Sequence, residues 1–127
     1  MVVLLTIVGS AIACQSSSSA TLDESAIRAY ADPATETTLH GLNENNLAKY
    51  TQNANFEFKA LVTQEMLDQI ATQINSQLGN YVSKEFLAVW EQDGHIIVHY
   101  RAKYAKDEVV IRMVFDKDHL VAGQWFE

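Results

Sequence analysis

A change of hydrophobic period at Gly79 constrains the fold more than any other feature of this 127-residue chain. Upstream, behind a potential helix cap at Thr63, apolar residues recur at helical spacing, namely Met66, Leu67, Ile70, Ala71, Ile74 and Leu78. Gly79 is placed to end this helix with a positive φ. Downstream, apolar and polar residues alternate in four stretches, and Asp93-Gly94 is a strong hairpin signal. Helices followed by antiparallel strands predict an α+β domain, with N-terminal helices packed on a four-stranded sheet.

The alternation also assigns the two faces of the sheet. In the first strand, residues 81–92, we expect Phe86, Ala88 and Trp90 to share a face. The side of the second strand that should face the helices holds Ile96, Val98, Tyr100, Ala102 and Tyr104. The outer face should carry the apolar residues Ile97, Val110 and Val114. It should also carry cross-strand ion pairs, each worth ~0.2–1 kcal/mol, drawn from Glu85, Glu91, Arg101, Lys103 and Arg112.

The first half of the domain is predicted to be mostly helical. A Thr-x-x-Glu capping box at Thr21 predicts a helix that begins at the next residue. Pro33 interrupts the apolar pattern of residues 22–43, so this stretch is two helices or one kinked helix. Asn46 is expected to cap a short helix, and Phe56–Phe58 is expected to be a short extended piece.

The first residues are typical of an export signal. Residues 1–13 contain no charged side chain and have the length of a signal-peptide apolar region, too short to span a bilayer. Ala11-Ile12-Ala13 is a cleavage pattern, and Cys14 follows it directly. The segment resembles a lipoprotein signal, which implies that Cys14 is acylated and anchors the chain in the membrane. Two departures are Ala11, where leucine is usual, and the lack of a preceding Lys or Arg. The alternatives are ordinary secretion with a free Cys14, or a buried first element.

Composition limits the remaining possibilities. Residues 14–21 include four consecutive serines and are predicted to be a flexible tether, followed by a single domain over residues 22–127. The chain holds 9 Lys and Arg against 16 Asp and Glu, a net charge of −7. This acidity argues against a nucleic-acid partner. A single cysteine excludes an internal disulfide.

An ordered set of residues carries a family resemblance. The set comprises Leu42-Asn43, Leu47, Tyr50, the Met66 helix, Trp90, Asp93-Gly94, Tyr100-Arg101-Ala102, Val110-Ile111-Arg112, Val114-Phe115-Asp116 and Gly123-Gln124-Trp125-Phe126. Over roughly residues 24–127 it resembles the domain-of-unknown-function 3887 family. That family is similar to the nuclear transport factor 2-like superfamily, also called the cystatin-like cone, which implies helices packed into the concave face of a curved sheet. Members of the domain-of-unknown-function 3887 family occur as small exported or lipid-anchored proteins and as leading domains before α/β-hydrolases. His119 departs from the glycine usual at its turn, and a positive φ there has a cost.

Catalytic and metal-binding patterns are weak in this sequence. His95 and His99 share a predicted strand face, but four strand residues separate their Cα atoms by ~13 Å. That distance is too long for two ligands of one zinc ion, so we expect no metal site. No serine or cysteine nucleophile motif is present, and no cofactor is implied. Because the inward sheet face offers no carboxylate or histidine, a catalytic site is not expected. Glu36 and His40 could reach inward, although a solvated helix face explains both.

The aromatic residues suggest where a ligand would bind. Core packing explains most inward aromatic side chains of a sheet. The alternative is a pocket between helices and sheet, with candidate lining residues Trp90, Tyr100, Tyr104, Met113 and Trp125.

These features together predict an exported, lipid-anchored domain at the cell membrane or cell surface, or alternatively a soluble secreted one. It is expected to bind a small apolar ligand or a protein partner without catalysis. The alternatives are a small acid–base enzyme, such as an isomerase or dehydratase, and a structural module that forms homodimers through the sheet.

Overall fold

Four helices precede four strands in the structure, a computed structural model that describes residues 21–127. The predicted signal peptide, Cys14 and the tether up to Ala20 lie outside the described residues. The helices are α1 (Glu24–Asn43), α2 (Leu47–Tyr50), α3 (Phe56–Leu61) and α4 (Gln64–Leu78). The strands are β1 (Tyr81–Gln92), β2 (His95–Tyr104), β3 (Glu108–Phe115) and β4 (Val121–Phe126). The predicted α+β architecture is confirmed.

Helix α1 is one continuous helix through Pro33. Pro33 cannot donate to the carbonyl of Ala29, but Ala29 is exposed, so water can satisfy that carbonyl. The cap is Asp23, whose side chain accepts the N–H of Ala26. The predicted start behind a Thr21 cap is therefore two residues too early. Within residues 21–127, no helix has the length and apolar character needed to cross a membrane.

The short helices are set by their caps. Asn46 and Thr63 cap α2 and α4 as predicted. The extended piece predicted at Phe56–Phe58 is wrong, because the Asn55 side chain accepts the N–H of Phe58 and starts helix α3 there. The extended backbone lies just before it, where Ala54 bridges to Val121.

The sheet is fully antiparallel in the order β1-β2-β3-β4. Asp93 and Gly94, with φ of 52° and 78°, form the predicted tight hairpin turn between β1 and β2. Gly79 also has a positive φ, at 78°. A β-bulge lies between Phe86 and Ala88, where β1 contains one residue more than β2.

The helices cover one face of this sheet. Ile27, Ala31 and Leu39 of α1 pack onto the inner face of the strands. The buried strand residues of this core are Tyr81, Val98, Tyr100, Ala102, Tyr104, Ile111, Met113, Phe115 and Val121. A second cluster of Leu42, Tyr50 and Leu67 joins α1, α2 and α4. The inward positions of β2 and β3 are those that the alternation predicts.

Candidate functional site

The five predicted pocket residues lie on two faces of the sheet. Tyr100, Tyr104 and Met113 are inside, each at most 3% exposed, and they serve as core. Trp90 pairs in register with Ile97, and Trp125 pairs with Arg112, both on the outer face. The structure therefore does not bring the five around one cavity.

The bulge in β1 explains the position of Trp90. Side chains alternate along a strand, so Phe86 and Trp90 were expected to point the same way. The extra residue, Leu87, shifts the alternation by one, and Trp90 then contacts His99 on the outer face, with 4.7 Å between ring centroids. The prediction that Phe86, Ala88 and Trp90 share a face is wrong for this reason.

Two of the aliphatic residues predicted on the outer face are buried there. Ile97 and Val114 lie on it, but they are only 3% and 9% exposed. Trp90 flanks Ile97, and Val114 lies beside Gly123, onto which the Trp125 indole folds. The aromatic side chains thus shield the aliphatic ones, and Trp125 itself remains 52% exposed.

The predicted ion pairs occur in part on this face. Arg101 lies 3.7 Å from Glu85 on β1 and 4.0 Å from Glu108 on β3. Arg112 lies 3.9 Å from Glu127. Lys103 has no ion partner within residues 21–127 at this distance. The bulge in β1 turns Glu91 to the inner face beside Ile96, so its predicted place on the outer face is wrong, and it too has no ion partner among these residues.

Helix α1 and the sheet are joined by a set of polar contacts that we call the α1 clamp, made of Asp32, Glu36, Tyr81, Lys84 and Tyr100. The Tyr100 hydroxyl donates to Asp32 Oδ1 at 2.6 Å. The Tyr81 hydroxyl and Lys84 Nζ both donate to Glu36 Oε2 at 2.8 Å. Each buried group thus meets a carboxylate at the helix surface.

The clamp sets the protonation of its members. Burial, together with the hydrogen bond to Asp32, raises the pKa of Tyr100 far above its usual range. Burial and Glu36 raise the pKa of Tyr81 in the same way. Although burial raises the pKa of Glu36, the hydrogen bonds from Lys84 and Tyr81 outweigh it and leave that pKa below its usual value. At neutral pH the clamp therefore consists of protonated tyrosines and an ionised carboxylate.

This protonation pattern suits structure better than catalysis. A general base is most effective when its pKa lies near the working pH. Glu36 is instead more acidic than an ordinary glutamate. Asp32 is engaged on both oxygens, by Tyr100 and by Arg28 Nε at 3.0 Å. Sequence reasoning treated Glu36 as a solvated helix residue and missed Asp32 and Lys84, since only the helix–strand register brings them together.

Two adjoining grooves lie at the end of the sheet where the β1–β2 and β3–β4 turns meet. We call them the rim grooves. The larger, about 700 Å³, is lined by Asn55, Phe56, Glu57, Gly94, His95, Asp116, Lys117, Asp118, Leu120 and Ala122. The smaller, about 390 Å³, is lined by Thr21, Leu22, Asp23, Ala26, Ile27, Tyr30, Glu91, Gly94, Ile96, Asp116, Lys117 and His119. The two grooves adjoin each other because Gly94, Asp116 and Lys117 line both.

The β3–β4 turn gives the rim grooves their shape. Asp116 Oδ1 accepts the N–H groups of Asp118 and Leu120, and Oδ2 accepts from Asn55 at 3.1 Å. Burial raises the pKa of Asp116, but these hydrogen bonds outweigh it and leave it below its usual value. His119 has a φ of 65°, the positive value considered for it from the sequence. Its ring stacks on Tyr30 with 3.9 Å between centroids.

Phe56 is the most exposed large apolar side chain at the rim, at 82%, and Leu120 beside it is 38% exposed. Residues two apart share a face in a strand but lie about 200° apart in a helix. Because α3 is a helix, Phe58 packs into the core and Phe56 points away from it. The signal in the sequence was Asn55, a residue type favoured at helix caps.

No group of three or more His, Cys, Asp and Glu side chains in residues 21–127 is arranged to hold a metal ion.

Comparison with known protein families identifies a family for this chain. The family model described as "Protein of unknown function (DUF3887)" matches residues 35–123, more than half of the chain. No curated protein and no solved structure matches the chain. The matched range runs from the second half of α1 into β4 and includes Phe56 and both turns of the rim.

Proposed function

The chain belongs to the DUF3887 family of proteins of unknown function, and we propose that it is an exported, lipid-anchored domain that binds a ligand or partner in its rim grooves. The observation that carries this proposal is the pair of adjoining grooves, which expose Phe56 and Leu120 to solvent. Exposed apolar side chains beside a concave surface are typical of binding sites. Membership of the nuclear transport factor 2-like superfamily stays a prediction.

The position of the grooves supports the link between anchoring and binding. Thr21, the first described residue, lines the smaller groove. Thr21 lies seven positions after Cys14, and a fully extended chain of seven residues reaches at most about 25 Å. An acylated Cys14 would hold the rim close to the membrane surface, where the grooves meet membrane-bound partners.

The geometry favours binding over catalysis. In the α1 clamp, Asp32 and Glu36 accept hydrogen bonds from tyrosines that the core holds in place. At the rim, Asp116 is occupied by the N–H groups of its own turn. These carboxylates stabilise the fold, and neither Glu36 nor Asp116 has the elevated pKa that a general acid requires at neutral pH.

A homodimer formed through the outer face is a second candidate function. It is favoured by Trp125, which is half exposed beside Arg112. Ile97 and Val114 are shielded and therefore contribute little exposed apolar area to this surface.

Two measurements test the proposal. The first is the intact mass of the native protein from its own membrane fraction. A mature N-terminus at Cys14 with added acyl mass supports the anchor, whereas an intact Met1 contradicts it.

The second measurement is Nile red fluorescence with a soluble form that begins at residue 14 and carries Cys14→Ser. We expect binding that Phe56→Ala weakens and Trp125→Ala leaves unchanged; the reverse pattern, with a dimer in native mass spectrometry, would favour the outer face.

A further inference from the structure

The rim grooves combine apolar side chains with an excess of negative charge. Five carboxylates line the two grooves, those of Asp23, Glu57, Glu91, Asp116 and Asp118. Among residues 21–127, Lys117 is the only Lys or Arg that lines either groove. The ratio of acidic to basic residues in the grooves is therefore higher than in the chain as a whole, which has 9 basic and 16 acidic residues.

Three of these carboxylates are free to meet a ligand. Asp23 caps α1 and Asp116 holds the β3–β4 turn, so both are used by the fold. Glu57, Glu91 and Asp118 are exposed, and within residues 21–127 none has a cationic side chain within 4.0 Å. Among the other acids of residues 21–127, Glu36, Glu85 and Glu127 have such a partner, whereas Glu65 and Asp107 do not.

The unpaired carboxylates lie close to the apolar residues that line the grooves. Glu57 follows the exposed Phe56 in α3, and Asp118 lies two residues before Leu120. Glu91 lines the smaller groove together with its cross-strand partner Ile96. Apolar contacts and negative charges thus run together from one groove into the next.

We propose that the rim grooves bind a basic amphipathic segment of a partner protein, with its apolar side chains against Phe56, Leu120 and Ile96 and its Lys or Arg side chains at Glu57, Glu91 and Asp118. This inference rests on the proposed function and names the partner for the same site. Charge complementarity selects this occupant, because the carboxylates would repel an anionic lipid surface and would contribute nothing to a neutral acyl chain. Two adjoining grooves also suit an extended segment better than one compact molecule.

The test uses the soluble form that begins at residue 14 with Cys14→Ser and two labelled peptides measured by fluorescence anisotropy. One peptide alternates four leucines with four lysines, and the other replaces each lysine by glutamate. We expect the lysine peptide to bind and the glutamate peptide to bind at least tenfold more weakly. Equal binding of the two peptides overturns the inference.

A pair of double variants locates the charge effect. Glu57→Gln with Asp118→Asn should weaken the lysine peptide roughly three- to tenfold, since each exposed ion pair contributes modestly. Glu65→Gln with Glu85→Gln removes the same charge away from the grooves and should leave binding unchanged. Equal effects of the two pairs would show nonspecific attraction and overturn the inference. Raising the salt concentration should weaken binding of the lysine peptide to the unsubstituted protein.

The outcome for Phe56→Ala separates the inference from the proposed function. If this variant loses both Nile red and the lysine peptide, both stand. If it loses Nile red while the unsubstituted protein does not bind the lysine peptide, the groove binds apolar ligands and only the inference fails. If the unsubstituted protein binds neither probe, both fail. Circular dichroism of every variant confirms that the fold is retained, which is expected because the substituted residues are exposed.

Discussion

In the α1 clamp, Asp32 and Glu36 accept hydrogen bonds from Tyr100, Tyr81 and Lys84, and the two tyrosines are at most 7% exposed. At the rim, Glu57, Glu91 and Asp118 are exposed and have no cationic partner among the described residues. Both regions place carboxylates beside aromatic side chains. The difference lies in their hydrogen-bond and ion partners: the clamp carboxylates find theirs within the chain, whereas the rim leaves apolar surface and charge exposed. Residue type alone therefore does not separate a structural cluster from the proposed binding surface.

The largest expected effect on stability comes from a substitution in the α1 clamp, compared with a substitution at the rim. Tyr100→Ala removes a ring that is 1% exposed and should lower the free energy of unfolding by about 3–5 kcal/mol. Phe56→Ala removes a ring that is 82% exposed and should change it by less than about 0.5 kcal/mol. Chemical denaturation of both variants checks the contrast. Equal losses would mean that Phe56 packs in the fold and that the rim is not an open surface.

A smaller effect separates the hydrogen bond from the packing. Tyr100→Phe keeps the ring but removes the bond to Asp32, and it should cost about 1.5–3 kcal/mol because the acceptor is charged. Tyr104→Phe is the matched control. The Tyr104 hydroxyl is buried and has no hydrogen-bond partner among the described residues, so its removal should be neutral or stabilising. Urea unfolding of the two variants measures both changes in the free energy of unfolding. Similar losses in the two variants would contradict a stabilising hydrogen bond between Tyr100 and Asp32.

At the rim, the residues just before α1 allow a sharper test. Asp23→Ala removes the side chain that accepts the Ala26 N–H, and we expect a loss of ~1 kcal/mol. Thr21→Ala should have no measurable effect, because Asp23 and not Thr21 caps the helix in the structure. Thermal unfolding followed by circular dichroism distinguishes them. A loss of stability in Thr21→Ala would mean that Thr21 caps the helix, as the capping box in the sequence predicts.

The smallest expected effect is the pH dependence of the clamp. The pKa of Glu36 is lower in the folded protein than its ordinary value of 4.5. Its contribution to stability is therefore complete above that value and is lost as the pH falls through the folded pKa. Glu36→Gln should lose less stability than the unsubstituted chain between pH 5 and pH 3, as measured by unfolding at each pH. An unchanged pH profile would mean that Lys84 and Tyr81 do not favour the charged form.

The sequence predicts much of the fold because its signals are local. Thr63 and Asn46 cap helices through their own neighbours, and Asp93-Gly94 forms a turn that needs no distant contact. The strand pattern of β2 follows from alternation alone. Where a local signal was ambiguous, the prediction failed: Phe56–Phe58 has the composition of a strand, but the Asn55 cap makes it a helix.

The candidate site was harder to predict because it depends on register and on chain reversals. The extra residue Leu87 moves Trp90 to the outer face, and no local sequence pattern predicts that β-bulge. The clamp joins Glu36 to Lys84 across 48 positions of the chain. The rim grooves form only where two turns and the start of α1 meet.

The sequence by itself therefore determined that helices precede a four-stranded antiparallel sheet, the family, the acidic charge, and the expectation of an export signal with Cys14 behind it. Periodicity and capping act within a few residues, so they can be found in a single chain. The tertiary structure decided which aromatic residues became core, and it decided which carboxylates are paired and which remain free at the rim. Those outcomes depend on distances between residues far apart in sequence, and only the packing of α1 and the hairpins fixes these distances.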